Sequence, residues 1–434
     1  MNTEQRKAEL KRIQAEHTPC MTGITLMYHG ERKIFDAYEI PLSILTYNPL
    51  NGRIGSVVKS FEKQNHTIDP NNITDVKLIE KFLWESKKEA NERTMQSLLV
   101  DHQQRYGIVT ADGKIIDGNR RASLLNRIWR DESIDVRCKQ HTQFFIAIIL
   151  PVDADKKELL RLETTYQMGE DAKVDYGPIE KYLKAKDLAD AGFSNPDIAS
   201  FMGVKPCEVK DYLRILELMN QYLDTYGYTG IYTLLHNKDA GISEDAFIKL
   251  EGALRQYAAG GVSKMWAYDV ETDVSDLKNI AFDYIRYGLD QQDFRDIIRQ
   301  PKKTNTDASF FSNEDIWRQF TKMHFDIVDG VQEQPVEDLR RDNPDVDISR
   351  LLRKRDTDWR DTIGDKLNEN FQRSRDKLNN KQQAAEPIKL LQKAWEAMST
   401  VDTTQISFKT DPGIKNYLNE IGAMVKKYES ILQQ

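Results

Sequence analysis

Two patterns of hydrophobic and polar positions divide the chain. From residue 38 to about residue 150, short apolar runs alternate with stretches of helical spacing. GIVTADGKIID (107–117) holds two apolar runs around a glycine, which readily supplies the positive φ that a hairpin turn needs. QFFIAIIL (143–150) is rich in Ile and Phe and is typical of a buried strand. The pattern predicts a small α/β domain over residues 38–150.

Beyond residue 150 the spacing of apolar positions is helical. Three short helical patterns follow one another and are separated by glycines: residues 178–192, 195–203 and 205–219. Two tight turns that join three helices are typical of a helix-turn-helix unit. The sequence therefore predicts a helix-turn-helix domain within residues 151–240.

The remaining segments are charged and helical in character. We interpret residues 1–37 as a charged N-terminal arm, residues 241–300 as a helical extension and residues 301–434 as a helical C-terminal region. Residues 301–309 are polar and unpatterned, which is typical of a linker, and we expect a long solvated helix from about residue 351. Such helices suit self-association or partner docking, and a solvated extension without a partner is an equal alternative. The predicted fold class is α+β.

Composition places limits on the class of protein. The 434 residues carry a formal net charge of −7, with 39% hydrophobic and 30% charged residues, which suits roughly two to four globular domains. No apolar run approaches the length of a membrane span, and the N-terminal residues lack the apolar stretch of a signal peptide. We therefore expect a cytoplasmic protein without a membrane partner.

Cysteine usage and net charge exclude little more. The three cysteines are scattered without CxxC spacing, which argues against a zinc knuckle or a disulfide framework and favours reduced thiols. The acidic balance argues against general coating of nucleic acid, although a local basic patch can still bind it. No GxxxxGK[ST] loop and no HExxH pattern is present, so neither a P-loop ATPase nor a zinc hydrolase is indicated.

KIIDGNRRASLLNRIW (114–129) places two arginines in the first turn of a helix that follows a short strand. Cations there cost about 0.3–1 kcal/mol each unless an anion is present, because the backbone amides already make that end positive. The preceding glycine allows close approach, and the guanidiniums of Arg120 and Arg121 can hold phosphate oxygens bidentately. The alternative is that both arginines pair with acids such as Asp117 or Glu163 and point to solvent.

Several stretches, in order, resemble the ParB/sulfiredoxin-like superfamily, and in particular ParB proteins, which join a nucleotide-binding domain to a helix-turn-helix. IPLSILTYNPLNGR (40–53) resembles the opening box through Asn48, Pro49 and Arg53. DGNRRASLL resembles the central Gly-Glu-Arg-Arg box, with Asn119 in place of the glutamate. LETTYQ resembles the third box in Glu163 alone, and DYGPIEKY is similar to the run that leads into the helices. The resemblance covers roughly residues 38 to 220.

The resemblance implies a pocket for CTP or another nucleoside triphosphate. Carried over by position, the residues that would line the nucleotide are Arg53, Gly118, Asn119, Arg120 and Arg121. Glu163 would be the acid that helps to hold Mg²⁺, a hard cation that prefers oxygen ligands, and the catalytic residue of any hydrolysis. The sulfiredoxin activity needs a cysteine nucleophile where Asn119 stands, so we do not expect it.

The third helical pattern is the candidate DNA-reading helix. Its outward positions include Lys205, Lys210 and Arg214, which could contact phosphates or base edges of double-stranded DNA. Glu208 and Asp211 lie among them and would repel the DNA backbone, unless one of them accepts a hydrogen bond from cytosine. The alternative is a helical bundle that serves only packing or dimerisation.

Three functions from different classes are compatible with these patterns. The first is a DNA-associated, homodimeric binding protein in which the nucleotide pocket acts as a switch. The second is an enzyme on the same fold, either a nucleotide hydrolase or a nuclease. The third is a non-catalytic assembly component of a mobile-element or phage-defence system.

Overall fold

The computed structural model describes residues 1–170, 177–236, 244–260, 265–302, 306–384 and 386–432. A mixed five-stranded sheet with its helices forms the N-terminal part, and the remainder is mainly helical. The predicted α+β class is confirmed at this level. None of the helices in the described part combines the length and the apolar character that crossing a bilayer requires.

The sheet has the strand order β1-β2-β5-β3-β4. Its strands are β1 (Met21–Tyr28), β2 (Glu31–Pro41), β3 (Gly107–Val109), β4 (Ile115–Asp117) and β5 (Phe144–Ile149). β3 runs parallel to β5, and the other neighbouring pairs are antiparallel. The predicted hairpin is present as β3 and β4, and Gly113 in its turn has a φ of +86°.

Nineteen helices are described, together with three short 3-10 segments and a π-helical turn. Those of the N-terminal part are α1 (Thr3–Glu16), α2 (Gly55–Gln64), α3 (Ile73–Ser86), α4 (Lys88–Val100), α5 (Asn119–Arg130) and α6 (Val136–Lys139). They are followed by α7 (Lys156–Thr164), α8 (Pro178–Asp190), α9 (Asn195–Met202), α10 (Pro206–Thr225), α11 (Glu244–Ala258), α12 (Asp273–Tyr287) and α13 (Gln291–Ile298). The last are α14 (Glu314–Val328), α15 (Val336–Asp342), α16 (Ile348–Ala384), α17 (Glu386–Ser399), α18 (Ile406–Thr410) and α19 (Pro412–Leu432). The 3-10 segments are Leu42–Ile44, Gln140–Gln143 and Tyr232–His236, and the π-helical turn is Thr165–Glu170.

The sheet separates two layers of apolar side chains. Alternation along β5 places Phe145 in the core that contains Leu125 of α5, and Ile148 in the core that contains Leu162 of α7. Both cores are built from side chains that are almost fully buried. The start of α5 is therefore held between strand ends and packed helices, which makes it a fixed platform for a site.

The first 37 residues do not form a separate arm. α1 buries Leu10 and Ile13 in one core of the sheet domain, and β1 with most of β2 precedes residue 38. Arg6 also donates from Nε to the backbone oxygen of Asp112 at 3.1 Å, which ties α1 to the β3–β4 turn. The pattern did not reveal this because β1 is an edge strand whose side chains are largely exposed, so no clear alternation marks it.

The three helical patterns after residue 177 fold as α8, α9 and α10, which share a small core around Ile198 and Val209. α9 ends at Gly203, whose φ is +68°, and α10 begins three residues later with Pro206 in its first turn. Short turns join these three packed helices, and their assignment as a helix-turn-helix unit stays a prediction. The boundary at residue 240 lies outside the described residues.

α8, α10 to α14 and α16 contribute buried side chains to a common core, while the buried side chains of α9 lie in the smaller core around Ile198. The common core includes Ile179, Phe247, Trp317 and Phe371, so the segments interpreted as residues 151–240, 241–300 and 301–434 pack together. α16 is not the solvated helix that its charge indicated, because Phe371 and its apolar neighbours face α12 and α14. In the expected linker, residues 303–305 lie outside the described part, while Ala308 and Ser309 are buried.

α19 leaves most of its apolar side chains exposed, with Ile414 and Ile421 half-buried. Over its described residues, 412–432, none is buried. The apolar positions 414, 417, 421, 424, 428 and 431 are separated by three and four residues in turn, the spacing of helices that pair along a seam. This spacing favours self-association, and the homodimer stays a prediction.

Candidate functional site

Five residues that the sequence predicted to bind a nucleotide line one cavity. It has a volume of about 160 Å³ and is lined by Asn51, Arg53, Thr94, Asp117, Gly118, Asn119, Arg120, Arg121 and Gln167. The predicted residues come from two distant segments, the loop before α2 and the turn between β4 and α5. The fold therefore brings together the opening box and the arginine turn.

Gly118 lets the chain turn sharply from β4 into α5. Its φ is +97°, a region that side chains disfavour, and a Cβ there would lie 2.5 Å from Cζ of Phe145. No side chain caps this end of α5. Because the first backbone amides of a helix lack intrahelical acceptors and carry its positive dipole end, this wall of the cavity favours an anion.

Asn119 fixes the loop that carries Arg53. Its buried side chain donates from Nδ2 to the oxygen of Ile115 at 3.0 Å and accepts from the amide of Asn48 at 2.8 Å. The amide of Arg53 in turn donates to Oδ1 of Asn51 at 3.0 Å. Asn119 thus lines the cavity, and its side chain links the loop, through Asn48, to Ile115 of β4.

Neutral acceptors orient the two arginines of the turn. Arg120 donates to Oδ1 of Asn91 at 2.5 Å and to Oγ1 of Thr94 at 3.2 Å. Arg121 donates from Nη1 to the backbone oxygens of Arg105 and Tyr106, at 2.8 and 3.0 Å. These bonds place both guanidiniums against α4 and the β3 entry, beside the start of α5.

A larger cleft adjoins the small cavity. It has a volume of about 650 Å³ and shares Arg53 and Arg120 with the small cavity. Its other lining residues are Ile54, Ser56, Val57, Phe82, Glu85, Ser86, Lys87, Gly177, Pro178, Glu180, Thr233 and Arg353. Sites for small ligands commonly span about 300–1,000 Å³ and combine apolar walls with a few polar groups, as this cleft does.

The two cavities are more basic than the rest of the chain. Counted over the described residues, five basic side chains line them, Arg53, Lys87, Arg120, Arg121 and Arg353, against three acids, Glu85, Asp117 and Glu180. The chain as a whole carries a net charge of −7. A concave basic surface on an acidic protein concentrates anionic ligands locally.

Glu163 lies outside both cavities and pairs with a lysine. Its side chain is buried, and Oε1 is 3.2 Å from Nζ of Lys184. Burial raises the pKa of the Glu163 carboxyl, while Lys184 and Lys114 oppose that rise. A Mg²⁺ ion at this carboxylate would have to displace the buried ammonium, so the arrangement does not fit a metal ligand.

The described part of the chain offers no alternative metal site. No group of three or more His, Cys, Asp or Glu side chains there is arranged to hold a metal ion. The expected roles of Glu163 as metal ligand and catalyst therefore gain nothing from the geometry. Its contacts indicate that it positions neighbouring elements, with Lys184 of α8 on one side and Gly52 of the Arg53 loop on the other.

The predicted DNA-contacting residues differ in their surroundings. Lys205 and Lys210 are exposed at the start of α10, where the amide of Lys205 donates to Oε2 of Glu208 at 2.8 Å. Arg214 instead pairs with Asp211 and lies 3.1 Å from Oε1 of Glu251. The two lysines remain available for phosphate contacts, whereas Arg214 is held by two carboxylates.

Lys87, Glu180 and Arg353 complete the site without having been singled out as ligand-binding residues. Glu180 belongs to the quoted DYGPIEKY run, so its segment carried a signal. Lys87 at the α3–α4 junction and Arg353 on α16 carried none, because only the packing of distant elements brings them to the cleft. No protein-family model matches this chain, and a search of curated proteins finds no match.

Proposed function

We propose that the two adjoining cavities bind CTP or another nucleoside triphosphate, as the ParB-like resemblance implies, and that the bound nucleotide acts as a switch. One observation carries the proposal: Arg53, Gly118, Arg120 and Arg121 line a single cavity at the uncapped start of α5. Arginines and helix amides are the groups that recognise phosphate oxygens.

We assign the parts of the ligand from the residues that line each cavity. The phosphates occupy the smaller cavity, where Arg121 and the first amides of α5 lie, and extend into the adjoining side of the larger cleft past Arg53 and Arg120, which line both. The nucleoside occupies the larger cleft, whose walls include Ile54, Val57 and Phe82. An apolar wall suits the faces of a base, and nearby polar groups such as Ser86 can select its edge.

The first prediction is that nucleoside triphosphate raises the melting temperature of the protein. We expect a rise of about 2 °C or more at saturating nucleotide, because a ligand that binds only the folded state stabilises it. Arg53→Ala should abolish the rise, since Arg53 lines both cavities. Thermal-shift measurements with all four nucleotides, each with and without Mg²⁺, test this and show which base is preferred.

Arg32→Ala is the matched control. Arg32 is exposed on β2, lies outside the residues lining the two cavities, and carries the same charge. The rise should survive this substitution in full. Melting curves that no nucleotide moves would refute a nucleotide pocket.

The second part of the proposal is that α9 and α10 contact double-stranded DNA. We expect duplex DNA to retard the protein in gels at low salt, and retardation to fade as salt rises, because phosphate contacts release counterions. Replacing Lys205 and Lys210 together by glutamate should weaken binding by about tenfold or more. The same double replacement of Lys7 and Lys11 on α1 is the control and should leave the retardation unchanged.

Absence of any retardation at low salt would favour the assembly component, in which the helix-turn-helix serves packing alone. The contacts of Arg214 with Asp211 and Glu251 are compatible with that outcome. The enzyme alternative has no specific support among the described residues, since Glu163 is paired with Lys184.

A further inference from the structure

α2 lies between the sheet domain and the helical region, and contacts both. On its N-terminal half, Oγ of Ser56 donates to Oε1 of Glu180 at 2.5 Å, and Nζ of Lys59 lies 2.7 Å from Oδ1 of Asp187. Further along, Oγ of Ser60 accepts from the amide of Thr233 at 3.1 Å. The small, fully buried serines allow α8 and the 3-10 segment at residues 232–236 to pack closely on α2.

The far end of α2 reaches the segment that leads into α16. Gln64, its last residue, accepts from Oγ of Ser349 at 3.4 Å through Oε1, and its backbone oxygen accepts from Arg340 at 3.4 Å. α2 begins two residues after Arg53. A single ten-residue helix thus runs from the arginine-lined cavity to the start of α16.

Arg353 lies one helical turn beyond Ser349 on α16 and lines the larger cleft with Arg53 and Arg120. Its side chain is exposed, and it takes part in none of the ion pairs within the described residues. Arg355, two residues further on, is by contrast 3.5 Å from a carboxylate oxygen of Glu333.

Three guanidiniums and the ammonium of Lys87 line this cleft against the carboxylates of Glu85 and Glu180, so positive charge is in excess there and favours an anionic ligand. The three guanidiniums come from three separate elements: the loop before α2, the start of α5 and the first turns of α16. Exposed cations that serve solubility alone need not converge in this way. The convergence on a concave surface points to a shared anionic ligand.

We infer that Arg353 is a ligand-binding residue of the same anion site, and that a bound nucleoside phosphate ties α16 to the arginine turn. This inference rests on the proposed nucleotide site and extends it to the helical region. The ligand then bridges both parts of the molecule at the end of α2 where they meet. Binding is communicated to the helical region because one ligand contacts residues of both parts.

Calorimetric titration of the full chain with CTP, ATP, GTP and UTP tests the inference. Arg353→Ala should weaken the preferred nucleotide by about tenfold, which is the usual loss for one charge-assisted hydrogen bond, and Arg353→Glu should weaken it further. Arg353→Lys should recover part of the affinity. The matched control is Lys354→Glu, because Lys354 is the exposed neighbour on α16 but does not line the cleft.

Hydrogen exchange distinguishes a ligand contact at Arg353 from a general effect of surface charge. Nucleotide should slow amide exchange in residues 348–356 of the wild type and leave it unchanged in Arg353→Glu. If wild type binds a nucleotide and Arg353→Glu binds it equally well, the role of Arg353 is overturned while the nucleotide site stands. If wild type binds none of the four, the proposed site and this inference fall together.

Discussion

Replacing Arg286 by alanine should lower the free energy of unfolding by about 3–5 kcal/mol, because two partner carboxylates would lose a buried cation. Arg286 is 1% exposed and sits on α12. Its Nη1 lies 2.7 Å from Oε1 of Glu333, and its Nε lies 2.6 Å from Oδ1 of Asp356 on α16. The guanidinium also stacks on Trp359 at 4.5 Å from the ring centroid.

Urea unfolding followed by circular dichroism measures this loss. Arg341→Ala is the control, because Arg341 is 72% exposed and pairs with Asp338 at the surface, where a pair contributes about 1 kcal/mol at most. The stability of Arg286→Lys should lie between those of wild type and Arg286→Ala, because lysine keeps the charge but loses the bidentate contact with Glu333. Equal stabilities of Arg286→Ala and Arg341→Ala would show that the buried network does not anchor α16.

This network matters for the site because it fixes the helix that carries Arg353. Asp356 lies on α16 three residues after Arg353, and it also accepts a hydrogen bond from the hydroxyl of Tyr228. Arg355 adds a contact to Glu333 on the same side. The position of α16 against the cleft therefore depends on contacts deep in the helical core.

Features with a local cause could be predicted from the sequence. The β3–β4 hairpin follows from a glycine between two apolar runs, and the arginine turn follows from a glycine at the junction of strand and helix. α8 and α9 begin and end near Pro and Gly positions that the pattern already marked, and α10 begins near one but continues to Thr225, beyond the predicted end at residue 219. In each case a few neighbouring residues determine the backbone.

Features that depend on packing between elements far apart in the chain could not be predicted from the sequence. Arg353 reaches the cleft only because α16 packs on α12 and α14, and no pattern near residue 353 records that. The same packing buries Leu367 and Phe371 in a helix whose composition is dominated by charge. A narrow apolar stripe on a long charged helix is easily mistaken for a solvated surface.

The contacts of Asn119 explain why an amide suits this position, where the ParB box that the sequence resembles has a glutamate. The side chain at this position must donate to the oxygen of Ile115 and accept from the amide of Asn48. An amide does both, whereas an ionised glutamate can only accept. The amide of Asn119 therefore links the loop that carries Arg53 to β4 and adds no charge beside the cavity.

Replacing Lys184 by methionine should destabilise the protein most at high pH. Lys184 is 3% exposed and pairs with buried Glu163. Its removal leaves the Glu163 carboxylate buried without its paired ammonium, which should lower the free energy of unfolding by about 3–5 kcal/mol at pH 8. Burial already raises the pKa of Glu163, and removing the ammonium raises it further. A carboxyl with a raised folded-state pKa binds protons better when folded, so its contribution to stability falls as pH rises from about 4.3.

The loss in Lys184→Met should accordingly shrink as pH falls from 8 to 5, because a raised pKa allows the folded protein to protonate Glu163 more readily than the unfolded chain does. Urea unfolding at pH 5, 6.5 and 8 measures it. The double variant Glu163→Gln with Lys184→Met is the control, because a neutral amide replaces the carboxyl, so this variant should show no such pH dependence. A loss in Lys184→Met that stays the same at all three values would mean that Glu163 is not the group left unpaired.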